Sequence, residues 1–186
     1  MPRQLITAPA VDPVTTAEAK THLRVDHADH DTLIGTLIKS AVYYVENYTR
    51  RALITQTWDL FLDRFETENE IPLPSLQSVT TVKYLDDAGV QQTLAATGYK
   101  VDVASERGRV VLAYGESWPT VRDEINAIEI RFIAGYGLAV AVPDQLKDAI
   151  KLHVQILYDG PVGDDLKSLE RTRDALLDGF TSTRYL

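Results

Sequence analysis

The chain has 186 residues and a mass of 20.7 kDa, with 45% apolar and 25% charged side chains, enough for one good core or a core with a small satellite. No apolar run approaches the roughly 20 residues of a membrane helix, and the amino terminus lacks a signal-peptide stretch, so a soluble protein made in a reducing cytoplasm is expected. The lack of cysteine excludes disulfides, thiolate nucleophiles and most structural zinc sites, and a net charge of −8 excludes the broad basic surface that grips duplex DNA.

In chain order, Pro2, Pro9 and Pro13 mark an extended opening segment. Thr15 followed three residues later by Glu18 is a capping box, and it predicts a short helix ending near Arg24. After the polar stretch Asp26-His27-Ala28-Asp29-His30-Asp31, the apolar residues Leu33, Ile34, Leu37, Ile38, Ala41, Val42, Val45 and Tyr48 recur at spacings of three and four. They predict a long amphipathic helix over residues 29–51, with Arg50 and Arg51 in the last turn, where positive charge suits the helix dipole. From Trp58 the period changes to two: Trp58, Leu60 and Leu62 alternate with Thr57, Asp59, Phe61 and Asp63, as in a half-buried strand.

Strands continue to Ala134. Residues 79–85 and 90–94 flank Asp86-Asp87-Ala88-Gly89 as one hairpin; residues 99–103 and 110–112 flank Glu106-Arg107-Gly108 as another; residues 127–134 close the set. Gly135-Tyr136-Gly137 breaks the last strand. A helix opens at Val142-Pro143-Asp144 with a stripe of Leu146, Ala149, Ile150, His153, Val154, Leu157 and Tyr158. Asp159-Gly160-Pro161-Val162-Gly163 stops it, and a final helix from about Asp164 carries Leu166, Leu169, Leu176 and Leu177. The fold class is therefore α+β: an α-helical bundle of N- and C-terminal helices with an inserted antiparallel β subdomain. The divisions expected are 1–54 for the arm and first helices, 55–138 for the β insertion, 139–179 for the last helices and 180–186 for a C-terminal tail.

No constellation of catalytic residues stands out. Asp26, His27, His30 and Asp31 have i,i+4 spacings that suit one metal ion, but a polar interhelical loop needs the same residues, so no metal and no cofactor is expected. Gly135-Tyr136-Gly137 lacks the glycine spacing of a phosphate loop, and Ser117 lacks the following glycine of a nucleophile elbow. His153, inside an apolar stripe, reads as a satisfied or partly exposed core histidine, and Trp58 and Trp118 as core aromatics of the β subdomain, with a subunit contact the other reading of Trp118. Glu66, Glu68 and Glu70 read as a solvated loop or, more sharply, as an acidic rim facing DNA. The last residues are open between a frayed end and a docking segment built on Phe180, Arg184, Tyr185 and Leu186.

Several ordered segments carry a resemblance. Leu5-Ile6-Thr7-Ala8-Pro9, then Glu18-Ala19-Lys20-Thr21-His22-Leu23-Arg24-Val25-Asp26, then Ala52-Leu53-Ile54-Thr55-Gln56-Thr57-Trp58 open the series. Leu76-Gln77-Ser78-Val79, Gly108-Arg109-Val110-Val111 and Ala134-Gly135-Tyr136-Gly137 continue it. Together they resemble the head-tail connector (adaptor) proteins of long-tailed bacteriophages and of gene transfer agents, with departures near Pro74 and at Leu112, where the family often has more proline. The resemblance implies a non-enzymatic structural subunit of a homo-oligomeric ring, twelvefold by expectation, in the virion neck, assembled in the bacterial host cytoplasm. Its implied partners are the portal protein, contacted by residues 180–186, and a stopper or tail-terminator protein, with DNA passing through the lumen without specific binding and no membrane contact. An acidic lumen wall would keep DNA mobile by like-charge repulsion. The alternatives are a stopper or tail-completion protein, or a small metal-dependent hydrolase using residues 26–31.

Overall fold

The computed structural model describes residues 2–160 and 162–181. Their chain folds as two compact units: one takes the N-terminal segment to Pro9 together with Thr55–Gly135, and the other takes Ala10–Ile54 and the chain from Tyr136 onward.

The helical unit begins with α1 (Thr16–Leu23). Thr15 caps it in both directions: its hydroxyl accepts from the Glu18 amide at 3.2 Å, and Glu18 Oε2 accepts from the Thr15 amide at 2.7 Å. Helix α2 (Asp31–Thr49) follows the predicted stripe, burying Ile34, Ile38, Ala41, Val42 and Val45. It stops two residues earlier than its pattern suggested. Arg50 is not in the last turn but is the left-handed C-cap, with φ 56°, and Arg24 ends α1 in the same way at φ 59°. Helix α3 (Asp144–Asp159) buries Leu146, Ala149, Ile150 and Val154, and α4 (Gly163–Asp178) buries only Arg173 and Leu177. With Val14, Ala19, Leu53, Ile54 and Val142, the buried apolar residues of α2, α3 and α4 form one core. None of the described helices is long and apolar enough to cross a membrane.

The sheet unit is antiparallel throughout. A five-stranded sheet runs in the order β1-β2-β8-β4-β5 and a three-stranded sheet in the order β3-β7-β6. The strands are β1 (Arg3–Thr7), β2 (Gln56–Leu62), β3 (Glu68–Glu70), β4 (Leu76–Leu85), β5 (Gln91–Thr93), β6 (Tyr99–Asp102), β7 (Arg109–Leu112) and β8 (Ile128–Ala134). Both predicted hairpins form. In the first, Asp86 Oδ1 accepts from the amides of Ala88 and Val90, and Gly89 supplies a φ of 79°. In the second, β6 and β7 pair from Tyr99↔Leu112 to Asp102↔Arg109.

Strand β8 is the centre of the larger sheet and alternates cleanly: Ile128, Ile130, Phe132 and Ala134 are buried, while Glu129, Arg131 and Ile133 are half-buried on the other face. Strand β2 departs from its predicted alternation. Asp59 stands on the polar face yet is buried, because its register partner Arg131 grips it with two hydrogen bonds of 2.8 Å.

Both tryptophans are half-buried, not core. Trp58 lies under the Arg3 guanidinium at 5.5 Å, and Trp118 stacks on Phe65 with ring centroids 4.2 Å apart. The core aromatics of this unit are Phe132 and Tyr99.

Candidate interaction surfaces

The residues with metal-binding chemistry take separate polar partners, although the His27 and His30 rings meet edge to face at 4.8 Å. Asp31 accepts from Lys20 Nζ, His30 Nδ1 bonds the Tyr158 hydroxyl at 2.6 Å, and His27 lies 3.6 Å from Asp29. Among the described residues, no three histidines or carboxylates converge on one point. Ser117 is exposed, and Gly135-Tyr136-Gly137 is the turn that ends β8, with both glycines at positive φ.

Of the glutamate run, Glu66 lies in the loop, while Glu68 and Glu70 belong to the short strand β3. Only its short length and a buried Asn69 distinguish it, and neither is a strand signal in sequence. Asn69 fixes the local chain: its side-chain oxygen accepts from the Glu66 amide, and its side-chain nitrogen donates to the carbonyls of Glu66 and Val110. Glu68 and Glu70 point outward on the same face as Arg109. Each glutamate of the run meets a cation: Glu66 accepts from Arg64 at 2.9 Å, Glu68 from Arg109 at 2.8 Å, and Glu70 lies 3.5 Å from Arg107. Asp102 holds Arg109 from the other side at 3.1 Å. Hydrogen bonds from Ser105, from the Ser105 and Ala104 amides and from Arg109 hold the Asp102 carboxyl down to about 2. Four carboxylates, Glu66, Glu68, Glu70 and Asp102, are thus largely offset by three arginines, Arg64, Arg107 and Arg109, in one ladder.

A broad groove of about 830 Å³ is lined by ladder residues Glu66, Glu68, Asp102 and Arg109 together with Val101, Val111, Leu112 and the Phe65–Trp118 stack. Trp118 Nε1 donates to the Glu66 carbonyl at 3.0 Å, which ties that stack to the glutamate segment.

In the helical unit, the feature that sequence reasoning missed is a polar node around Arg173. Arg173 Nη1 meets His153 Nδ1 at 2.8 Å, its Nε donates to Asp174 at 2.8 Å, and its guanidinium lies 4.2 Å from the centre of the Tyr44 ring. The His153 ring stacks on Tyr44 at 4.2 Å. Arg173 has only donors, so His153 Nδ1 accepts and the imidazole is neutral. Burial, reinforced by the nearby Arg173 charge, pushes His153 down to about 4. The arginine sits in line with Leu166, Leu169, Leu176 and Leu177, yet a lone cation in a leucine-rich helix reads as solvent-facing.

Of the predicted docking segment, Phe180 is half-buried against the apolar core of the bundle, and its carbonyl accepts from Arg51 Nε at 2.6 Å. Arg184, Tyr185 and Leu186 lie outside the described residues.

Residues 14–88 match the phage gp6-like head-tail connector family. That stretch runs from the start of the helical unit through α1, α2 and β2 to the turn after β4. Solved structures extend the likeness along the whole chain. A chain in the neck of an empty gene transfer agent particle with C6 symmetry is 26% identical, with a TM-score of 0.80 over 100% of this chain and 98% of that one. A chain of the virion of a native gene transfer agent particle is also 26% identical, with a TM-score of 0.81 over the same shares. A chain in the neck of a native gene transfer agent particle with C12 symmetry is 25% identical, with a TM-score of 0.73 over 98% of this chain and 97% of that one. No curated protein matches. The connector resemblance carried by Gly108–Val111 and Ala134–Gly137, beyond the family match, therefore rests on the structural neighbours.

Proposed function

We propose that this protein is a structural connector subunit in the neck of a phage or gene transfer agent particle. The observation that carries the reading is likeness along the entire chain, helical and sheet units alike, to chains of gene transfer agent necks and virions. The family match over α1, α2 and the first strands supports it independently. Copies stand side by side in a ring of twelve that extends the DNA passage between the portal and a stopper or tail-terminator protein. Such a ring closes through heterologous contacts, which require each copy to offer two different faces.

Two finer parts belong to the same proposal. The segment from Phe180 through Arg184, Tyr185 and Leu186 docks on the portal. The ladder of Glu66, Glu68 and Glu70 faces the channel, where its arginine partners moderate the repulsion of DNA without producing a basic surface that would hold it.

Native mass spectrometry of the full chain and of a chain ending at Gly179, each with and without the cognate portal, tests the reading. Rings on the portal for the full chain, and none for the shortened one, are the expected result. Full chains that ignore the portal would overturn the connector role; shortened chains that still bind would overturn only the role of residues 180–186.

A further inference from the structure

The two outer edges of the five-stranded sheet are open, and they complement one another. Strand β1 is bonded along one edge only, to β2, and all five of its residues are exposed, Leu5 and Ile6 among them. At the other end of the sheet, β5 is three residues long and pairs only with residues 83–85, the end of the ten-residue β4. A bond from the Leu94 amide to the Val82 carbonyl extends that cover by one residue. Among the described residues no strand pairs with the rest of this edge of β4, where Gln77, Ser78 and Thr80 are exposed. Unpaired amides and carbonyls on such edges are a template for another chain.

The registers place both open edges at one level of the sheet. Followed from strand to strand, Gln4 aligns with Asp59, Arg131 and Thr81; Leu5 with Trp58, Phe132 and Val79; and Thr7 with Thr57, Ile133 and Ser78. Strand β1 is therefore level with the notch that the short β5 leaves along β4. Because every pairing is antiparallel, β1 also runs opposite to β4. A second copy set alongside presents its β1 to the notch in the sense of every other ladder in the sheet. Residues directly opposite share a face, so Leu5 meets Val79 and Gln4 meets Thr81. Residues 77–81 carry no charge and β1 carries no carboxylate, so nothing in either segment repels the other. Bulges at Ile6 in β1 and at Gln77 and Thr80 in β4 twist both edges, which discourages pairing with a flat strand of an unrelated chain.

We infer that β1 of one copy fills the notch on β4 of the next, joining the five-stranded sheets of neighbouring copies into one antiparallel sheet. The occupant is a second copy because strand and notch, both carried by this chain, match in length, level and direction. The contact is heterologous, so it repeats around an axis instead of closing as a pair. Rotation about that axis brings no rise, so strands standing along it keep the level match all the way round. This contact rests on the ring reading above and names the surfaces that close the ring.

Engineered cysteine pairs test this cleanly, since the chain has no cysteine of its own. Within one copy β2 and β8 stand between Leu5 and Val79, which sets them about 14 Å apart at roughly 4.8 Å per strand, beyond the reach of a disulfide. Oxidation of full-length Leu5→Cys/Val79→Cys assembled on the cognate portal is expected to give a ladder of covalent multimers on a non-reducing gel. Leu5→Cys/Gln92→Cys, whose second thiol lies on β5 beyond the notch, is expected to give none. Gln4→Cys/Thr81→Cys is expected to repeat the ladder and serves if the first pair does not fold. Native mass spectrometry of the same samples separates the two ways of failing. Rings in which neither pair crosslinks would overturn the β1–β4 contact and leave the ring standing; an unsubstituted chain that forms no ring on the portal would overturn both.

Discussion

The pair Asp59 and Arg131 should respond unequally to removal of its two members. The side chains are register partners across β2 and β8, joined by two bonds of 2.8 Å, but Asp59 is 5% exposed and Arg131 is 36% exposed. Arg131→Ala leaves a carboxylate buried without its cation, which costs about 3 kcal/mol. Asp59→Ala leaves a guanidinium that already reaches water and has Glu129 3.9 Å away, so the loss falls to about 1 kcal/mol. The difference of about 2 kcal/mol is some thirtyfold in the folding equilibrium. In Asp59→Ala/Arg131→Ala the stranded charge disappears, and the cost should lie well below the sum of the single changes. Urea unfolding followed by tryptophan fluorescence isolates the relevant unit, because Trp58 and Trp118 are the only tryptophans and both lie between Thr55 and Gly135. If Asp59→Ala proved as damaging as Arg131→Ala, or worse, the argument from unequal burial would be wrong.

His153 should make the helical unit acid-sensitive. Its pKa falls from 6.5 to about 4 on folding, so the stability it permits is complete above pH 6.5 and declines as pH falls toward 4, where the unfolded chain takes up the proton first. Allowing for its partial exposure, the decline is about 1–2 kcal/mol. His153→Asn should flatten that part of the profile in urea titrations followed by circular dichroism, and an unchanged slope would exclude the histidine as its source. Two glycines should respond with opposite signs to alanine. A Cβ on Gly108 would stand 2.2 Å from Leu76 Cδ2 and 2.7 Å from its Cβ, so Gly108→Ala should cost about 1–3 kcal/mol in the fluorescence assay. Gly35 in α2 has nothing within 4 Å of such a Cβ, and Gly35→Ala should stabilise the helical unit by about 0.5–1 kcal/mol.

Features confined to a few neighbouring residues were legible in sequence. The Thr15–Glu18 box depends on four residues, the α2 stripe on one helix's own periodicity, and the Asp86–Gly89 turn on an aspartate that bonds its own backbone and a glycine that accepts positive φ. Their physics is local, so the order of letters suffices. One local reading missed by two residues: the pattern of α2 predicts a helix to residue 51, but its left-handed end is occupied by Arg50, where a glycine would have announced the stop.

What required the folded chain is whatever depends on residues far apart in sequence. Asp59 is buried because Arg131, 72 residues away, becomes its cross-strand neighbour. Glu68–Glu70 is a strand because β7 lies beside it, and Arg109, 41 residues on, then neutralises Glu68. Arg173 is buried because α2 and α3 bring Tyr44 and His153 to its two sides. Periodicity along one segment records which face turns inward. It carries no record of which distant charge waits there, and pairing of distant charges decides whether a polar residue on that face is paid for or left to water.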